Sequence, residues 1–117
     1  MTFGYYDKDK YTGDLHWFPV THKQHWTIKL DDVKVGGKST NLCAKGDCHV
    51  IIDSGFSALA FPPNMYNRFI ELGYPTKSKP VKCITNSESV GDLTYTIGGI
   101  DFTMRSENWL LSERPKI

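Results

Sequence analysis

The residues of this chain with the clearest chemical content are Asp53-Ser54-Gly55-Phe56, directly after the apolar run Val50-Ile51-Ile52. A continuous apolar run suits a strand covered on both faces, so an acid at its end would face an apolar interior. A carboxylate in that position gives up hydration worth several kcal/mol unless hydrogen bonds or a partner compensate. The chemistry it could do is proton transfer. Gly55 permits a tight turn that would leave the carboxylate on a loop. The hydroxyls of Ser54 and Ser57 are close enough in sequence to donate hydrogen bonds to it. The alternative is an Asx-turn, in which the acid caps a turn through backbone N–H groups. The four residues alone favour that alternative.

Other chemically capable residues are the cysteines and histidines. Cys43, Cys48 and Cys83 make an odd count, so one thiol is free or pairs with a cysteine outside these residues. Cys43, Cys48, His49 and Cys83 could in principle hold zinc, but the paired Cys-x2-Cys knuckles of such sites are absent. His16, His22 and His25 fall around a strand or turn without ligand spacing and read, like His49, as surface or half-buried side chains. No metal or cofactor is expected. Trp17, Trp26 and Trp109 read as core or lobe-edge aromatics, and Lys8, Lys10 and Lys23 as solvated.

The elements that must position Asp53 are mostly strands. Trp26, Ile28 and Leu30 alternate with Thr27, Lys29 and Asp31, the period-two pattern of a half-buried strand. Apolar positions resume at Val33 and Val35, one residue out of phase, which predicts a bulge or bend at Asp31-Asp32. Gly36-Gly37 reads as a two-residue hairpin loop. Leu93, Tyr95 and Ile97 lead into Gly98-Gly99, and Ile100, Phe102 and Met104 return, a second hairpin with one buried face. One helix is predicted after Pro62-Pro63, with a stripe of Tyr66, Phe69 and Ile70, stopped by Gly73 and Pro75. Pro80 to Val90 reads as loop, apart from a short strand at Val81–Ile84. The expected fold class is mostly β with one or two short helices.

The 117 residues fit one domain able to bury roughly two-thirds of its unfolded surface. A hydrophobic content of 39% and a charged content of 23% are ordinary for a globular protein. The formal net charge is +1 and the basic residues are scattered, which disfavours nucleic acid as a partner. No apolar run approaches a membrane span, and no signal-peptide pattern follows Met1.

From Phe3 to Leu111 the order of motifs resembles the C-terminal lobe of pepsin-like aspartic proteases. The residues that carry the resemblance are Phe3-Gly4-Tyr5-Tyr6-Asp7, Tyr11-Thr12-Gly13-Asp14-Leu15, His16-Trp17-Phe18-Pro19-Val20 and His25-Trp26. They continue with Cys43, Cys48, Val50 to Gly55, Cys83 and Thr96-Ile97-Gly98-Gly99. Tyr-Thr-Gly-x-Leu-x-Trp-x-Pro-Val is the specific part; Asp-Ser-Gly alone is not. The resemblance implies that Asp53 is one member of a catalytic pair of carboxylates that share a proton and hold a water between them. One acts as general base on that water while the other, protonated, polarises the scissile carbonyl. It further implies that Ser54 braces the active-site loops and that Gly55 and Ser57 support the acid. Cys43 and Cys48 would close a small disulfide loop, and Cys83 would pair with a cysteine past Ile117. Phe56 departs from the pattern, because the family carries Thr or Ser there and a phenyl ring offers no hydroxyl.

Residues 1–117 are thus expected to form a single, partial domain: an incomplete pepsin-like lobe. Nothing after Trp109 matches the apolar-apolar-Gly strand that completes such lobes, so the fold should be marginal in stability. The second acid and the flap belong to an N-terminal lobe, which is an expected partner alongside a peptide or protein substrate. Three functions are consistent with this. The first is an aspartic endopeptidase acting at acidic pH on extended peptides, with the isolated chain inactive. The second is a non-catalytic pepsin-like module that binds peptide or protein, marked by Phe56. A homodimer that sets two Asp53 side chains face to face ranks last, since the lobe brings no flap. The family's habit and the cysteines point to the secretory pathway, a lysosome or vacuole, or the extracellular space.

Overall fold

The computed structural model describes residues 2–71 and 90–109. Six strands follow in chain order: β1 Thr27–Lys29, β2 Asp32–Val35, β3 Lys38–Ser39, β4 His49–Ile51, β5 Leu93–Ile97 and β6 Ile100–Met104. Helix α1 covers Pro63–Glu71 and the one-turn α2 covers Ser106–Trp109, with a 3₁₀ turn at Lys8–Lys10. The mostly β class with two short helices agrees with a single pepsin-like lobe. Among the described residues no helix is long and apolar enough to cross a membrane.

The strands form two sheets. One is four-stranded and antiparallel in the order β3-β2-β5-β6, and the other pairs only β1 with β4. Both glycine pairs are hairpin loops. Val35 faces Lys38 across Gly36-Gly37, and Ile97 faces Ile100 across Gly98-Gly99. All four glycines have positive φ, between 57° and 76°, as a type I′ turn requires of both central residues.

The phase slip at Asp31-Asp32 marks the point where the chain passes from one sheet to the other. The Leu30 N–H still donates to Cys48 O at 3.0 Å, beside β4, whereas the Asp31 N–H donates to Thr96 O at 2.8 Å, beside β5. Leu30, Val33, Val35, Leu93, Ile97 and the bridged pair Cys43–Cys48 make up the buried core. Leu93 and Val33 are completely enclosed. Phe61 and Met65 at the start of α1 and Trp109 of α2 pack against this core, and the Trp109 indole N–H donates to Gly91 O at 3.2 Å.

The disulfide predicted between Cys43 and Cys48 is present, with Cα atoms 5.3 Å apart. It commits two of the four residues weighed as zinc ligands. Among the described residues no group of three or more His, Cys, Asp or Glu could hold a metal ion. Cys83, Gly73, Pro75, the strand expected at Val81–Ile84, most of the loop from Pro80 to Val90 and the tail after Trp109 lie outside the described residues. So do the side chains of Phe69 and Ile70.

On the outer face of the larger sheet, Lys34 Nζ meets both oxygens of Asp101, at 2.8 and 3.0 Å, and the Thr96 hydroxyl donates to Asp101 Oδ1 at 2.6 Å. The bonds from Lys34 and then Thr96 hold the Asp101 carboxyl below its ordinary value of 3.8. Because folding lowers this value, the stabilisation is fully present above about pH 3.8 and is lost as pH falls through the folded-state value. Asp101→Asn should therefore lower the melting temperature slightly near pH 6 and leave it unchanged in strong acid. Thermal melts of both proteins across that range check the sign.

Candidate active site

Asp53 is placed by the smaller sheet. β4 runs antiparallel to β1, with Thr27 opposite Ile51, Ile28 opposite Val50 and Lys29 opposite His49. The Ile52 N–H extends the ladder to Trp26 O at 3.3 Å. Asp53 is the next residue, so the chain leaves the sheet at the acid. There the carboxylate folds onto its own loop, with Oδ1 accepting the Gly55 N–H at 2.8 Å. This is the hydrogen bond of the Asx-turn alternative. The Ser54 and Ser57 hydroxyls, close in sequence, do not bond to the carboxylate, and Oδ2 takes no hydrogen bond among the described residues.

Gly55 serves by its size rather than by a special backbone conformation. It is not among the positive-φ glycines, yet a Cβ on it would stand 3.2 Å from Asp53 Oδ1. A side chain there would crowd the oxygen that the backbone N–H holds.

The strand before the acid is not covered on both faces as expected. Ile51 is 52% exposed and Ile52 59% exposed, and Asp53 itself is exposed. The reason is topological: among the described residues β4 has β1 as its one neighbour, and no described element pairs or packs over the outer surface of the two. The cost of burying the acid therefore does not arise among the described residues. Phe56 is also exposed, at 55%.

Trp26 departs from the predicted alternation in the same region. Thr27 is buried and Trp26 is 74% exposed, because the chain bends back before β1. The Thr21 N–H and hydroxyl both reach Thr27 O, at 2.8 and 3.2 Å, and His22 bridges to Thr27. The rings of His22 and His49 meet edge to face with centroids 4.9 Å apart, which fastens this turn to β4. Trp17 is likewise exposed, edge-on to Tyr6.

The turn and the end of β4 enclose an open cleft of about 610 Å³. Trp26, Ile51 and Ile52 give it apolar walls, and Asp53 is its one carboxylate among the described residues. Of the predicted site residues, Asp53 lines this cleft, whereas Ser54, Gly55 and Ser57 follow it on the loop outside the lining. Lys23, Gln24 and His25 also line it. Lys23 read as a solvated lysine and His25 as a bland histidine. The available signal was register: if Thr27 faces Ile51, Trp26 and His25 fall beside Ile52 and Asp53.

The cleft thus offers a carboxylate, one oxygen of which has no hydrogen bond among the described residues, at the edge of a partly apolar groove. Comparison with known proteins identifies the family. A family model described as eukaryotic aspartyl protease matches residues 1–116. Gastricsin of Callithrix jacchus is 30% identical over 115 residues, 96% of this chain and 29% of that protein. Cathepsin E of Cavia porcellus is 35% identical over 114 residues, 95% of this chain and 28% of that protein. Human gastricsin is 28% identical over 115 residues. The chain spans less than a third of the length of these relatives. On this evidence the chain belongs to the eukaryotic aspartyl protease family, the pepsin-like group.

Proposed function

We propose that this chain is the C-terminal lobe of a two-lobed aspartic endopeptidase and contributes Asp53 as one of two catalytic carboxylates. The observation that carries this is the position of Asp53 at the end of β4, beside an open apolar cleft. With Oδ1 tied to the Gly55 N–H, Oδ2 is left to the water and to the proton shared with a second acid. The N-terminal lobe would close over the acid and over a peptide held against Ile51 and Ile52. Water would then be excluded, and the charge interaction between the two carboxylates strengthened. Proton transfer follows the general acid–base scheme: one carboxylate takes a proton from the water as it attacks the peptide carbonyl, and the other donates to the carbonyl oxygen. Ser54, Gly55 and Ser57 would support the loop. The Cys43–Cys48 disulfide suits an oxidising compartment, such as the secretory pathway or a lysosome.

The test is a peptidase assay near pH 4 on the two-lobed protein beside its Asp53→Asn variant. Cleavage by the first and none by the second supports the proposal. Equal, background-level cleavage by both favours the second reading, a peptide-binding module without catalysis. Phe56 motivates that reading, because an exposed ring beside the acid replaces a hydroxyl that would bond to the carboxylate or to substrate backbone.

A further inference from the structure

The cleft beside Asp53 is chemically uneven. Trp26, Ile51 and Ile52 suit an apolar peptide, but Lys23, Gln24 and His25, three consecutive residues whose side chains can donate hydrogen bonds, also line it. Among the described residues none of these three side chains has a hydrogen-bond or ion-pair partner. Asp53 forms no ion pair with them, and its one hydrogen bond among the described residues comes from the Gly55 N–H. A cleft of this volume accommodates a side chain with room for its neighbours. Lys23 and His25 thus line the cleft unpaired, beside an Asp53 that bonds to its own loop, and the groups to pair with them are left to the ligand.

Building on the peptide-binding role assigned to this cleft, we infer that it is a subsite for an acidic residue of the bound peptide. The carboxylate of a substrate Asp or Glu would lie against Lys23 and His25 and accept from the Gln24 amide, while the flanking apolar residues cover Trp26 and Ile51. Charge-assisted bonds of this kind are the stronger class. Partial exposure tempers them, so the expected preference is about five- to tenfold over the uncharged isostere.

The experiment uses dye-labelled apolar octapeptides in which a single Glu is moved along the sequence, each paired with its Gln counterpart. Fluorescence anisotropy is read at about pH 6, where the peptide carboxylate is ionised, on the two-lobed protein and on its Lys23→Gln/His25→Gln variant. At one or two adjacent positions Glu should bind about five- to tenfold more tightly than Gln. That advantage should fall to twofold or less in the double variant and weaken with added salt. Equal affinity at every position, no binding by any peptide, or a preference that survives the double variant would overturn the subsite. Because this readout does not require catalysis, it separates from the assay of Asp53. Cleavage without acid preference removes the subsite alone, and acid preference without cleavage removes the catalytic role alone.

Discussion

Asp53→Asn, introduced into the two-lobed protein, is expected to cut kcat for peptide cleavage by about 10²- to 10⁴-fold, the range that a positioned acid or base contributes. Asparagine has nearly the shape of aspartate, and its carbonyl oxygen can still accept the Gly55 N–H that now meets Oδ1 at 2.8 Å. The loop should therefore keep its course. What the amide cannot do is accept the proton of the attacking water or share one with a second carboxylate. The loss should fall on kcat, with KM changed little, because the apolar walls at Trp26, Ile51 and Ile52 are untouched. Steady-state kinetics on a peptide cleaved by the parent protein makes the distinction. A rise in KM with kcat preserved would assign Asp53 to binding instead.

The second large effect lies in the core. Leu93 is fully enclosed at the start of β5, opposite Val35 on one side and Met104 on the other. Leu93→Ala removes the side chain that joins the central strands and leaves a cavity the backbone ladders keep from collapsing. Such changes cost about 2–5 kcal/mol. Domains of this size are stable by only about 5–15 kcal/mol, and the core here has few fully buried side chains among the described residues. Substantial unfolding at physiological temperature is expected. Ile51→Ala should cost less than about 1 kcal/mol in the 117-residue chain, because Ile51 is half exposed. Urea unfolding of the two variants tests the contrast, and equal losses would contradict this placement of the core.

How far the sequence could be read depended on whether local pattern or long-range cover decided the outcome. The Gly36-Gly37 and Gly98-Gly99 hairpins were legible, because a two-residue loop with positive φ admits few residue pairs and the flanking alternation sets the register. The helix start at Pro62-Pro63 was legible for a similar reason, since proline at the first helical position loses no hydrogen bond. The slip at Asp31-Asp32 could be located but not explained. Nothing local says that the chain passes there from one sheet to the other. Burial around Asp53 was not legible, as Val50-Ile51-Ile52 carries the composition of a strand covered on both faces whatever lies over it. Trp26 failed for the same reason. Lys23 and His25 were missed because they join the site through the pairing of β1 with β4, whereas the acid announced itself by its neighbours in sequence.

The Asx-turn and the catalytic acid were posed as alternatives, but they are not exclusive. The bond from Gly55 N–H fixes one carboxylate oxygen and so aims the other. A turn that positions its own acid is economical, because the loop needs no separate group to hold the carboxylate.

The central claim is that Asp53 belongs to a carboxylate pair that activates water. Its most direct measurement is kcat/KM against pH, from about 2 to 7, for the two-lobed protein and its Asp53→Asn variant on one peptide. The expected result is an optimum in the acid range for the parent, where one carboxylate of the pair is charged and the other protonated, and no cleavage by the variant at any pH. A variant that cleaves with an unchanged profile would contradict it.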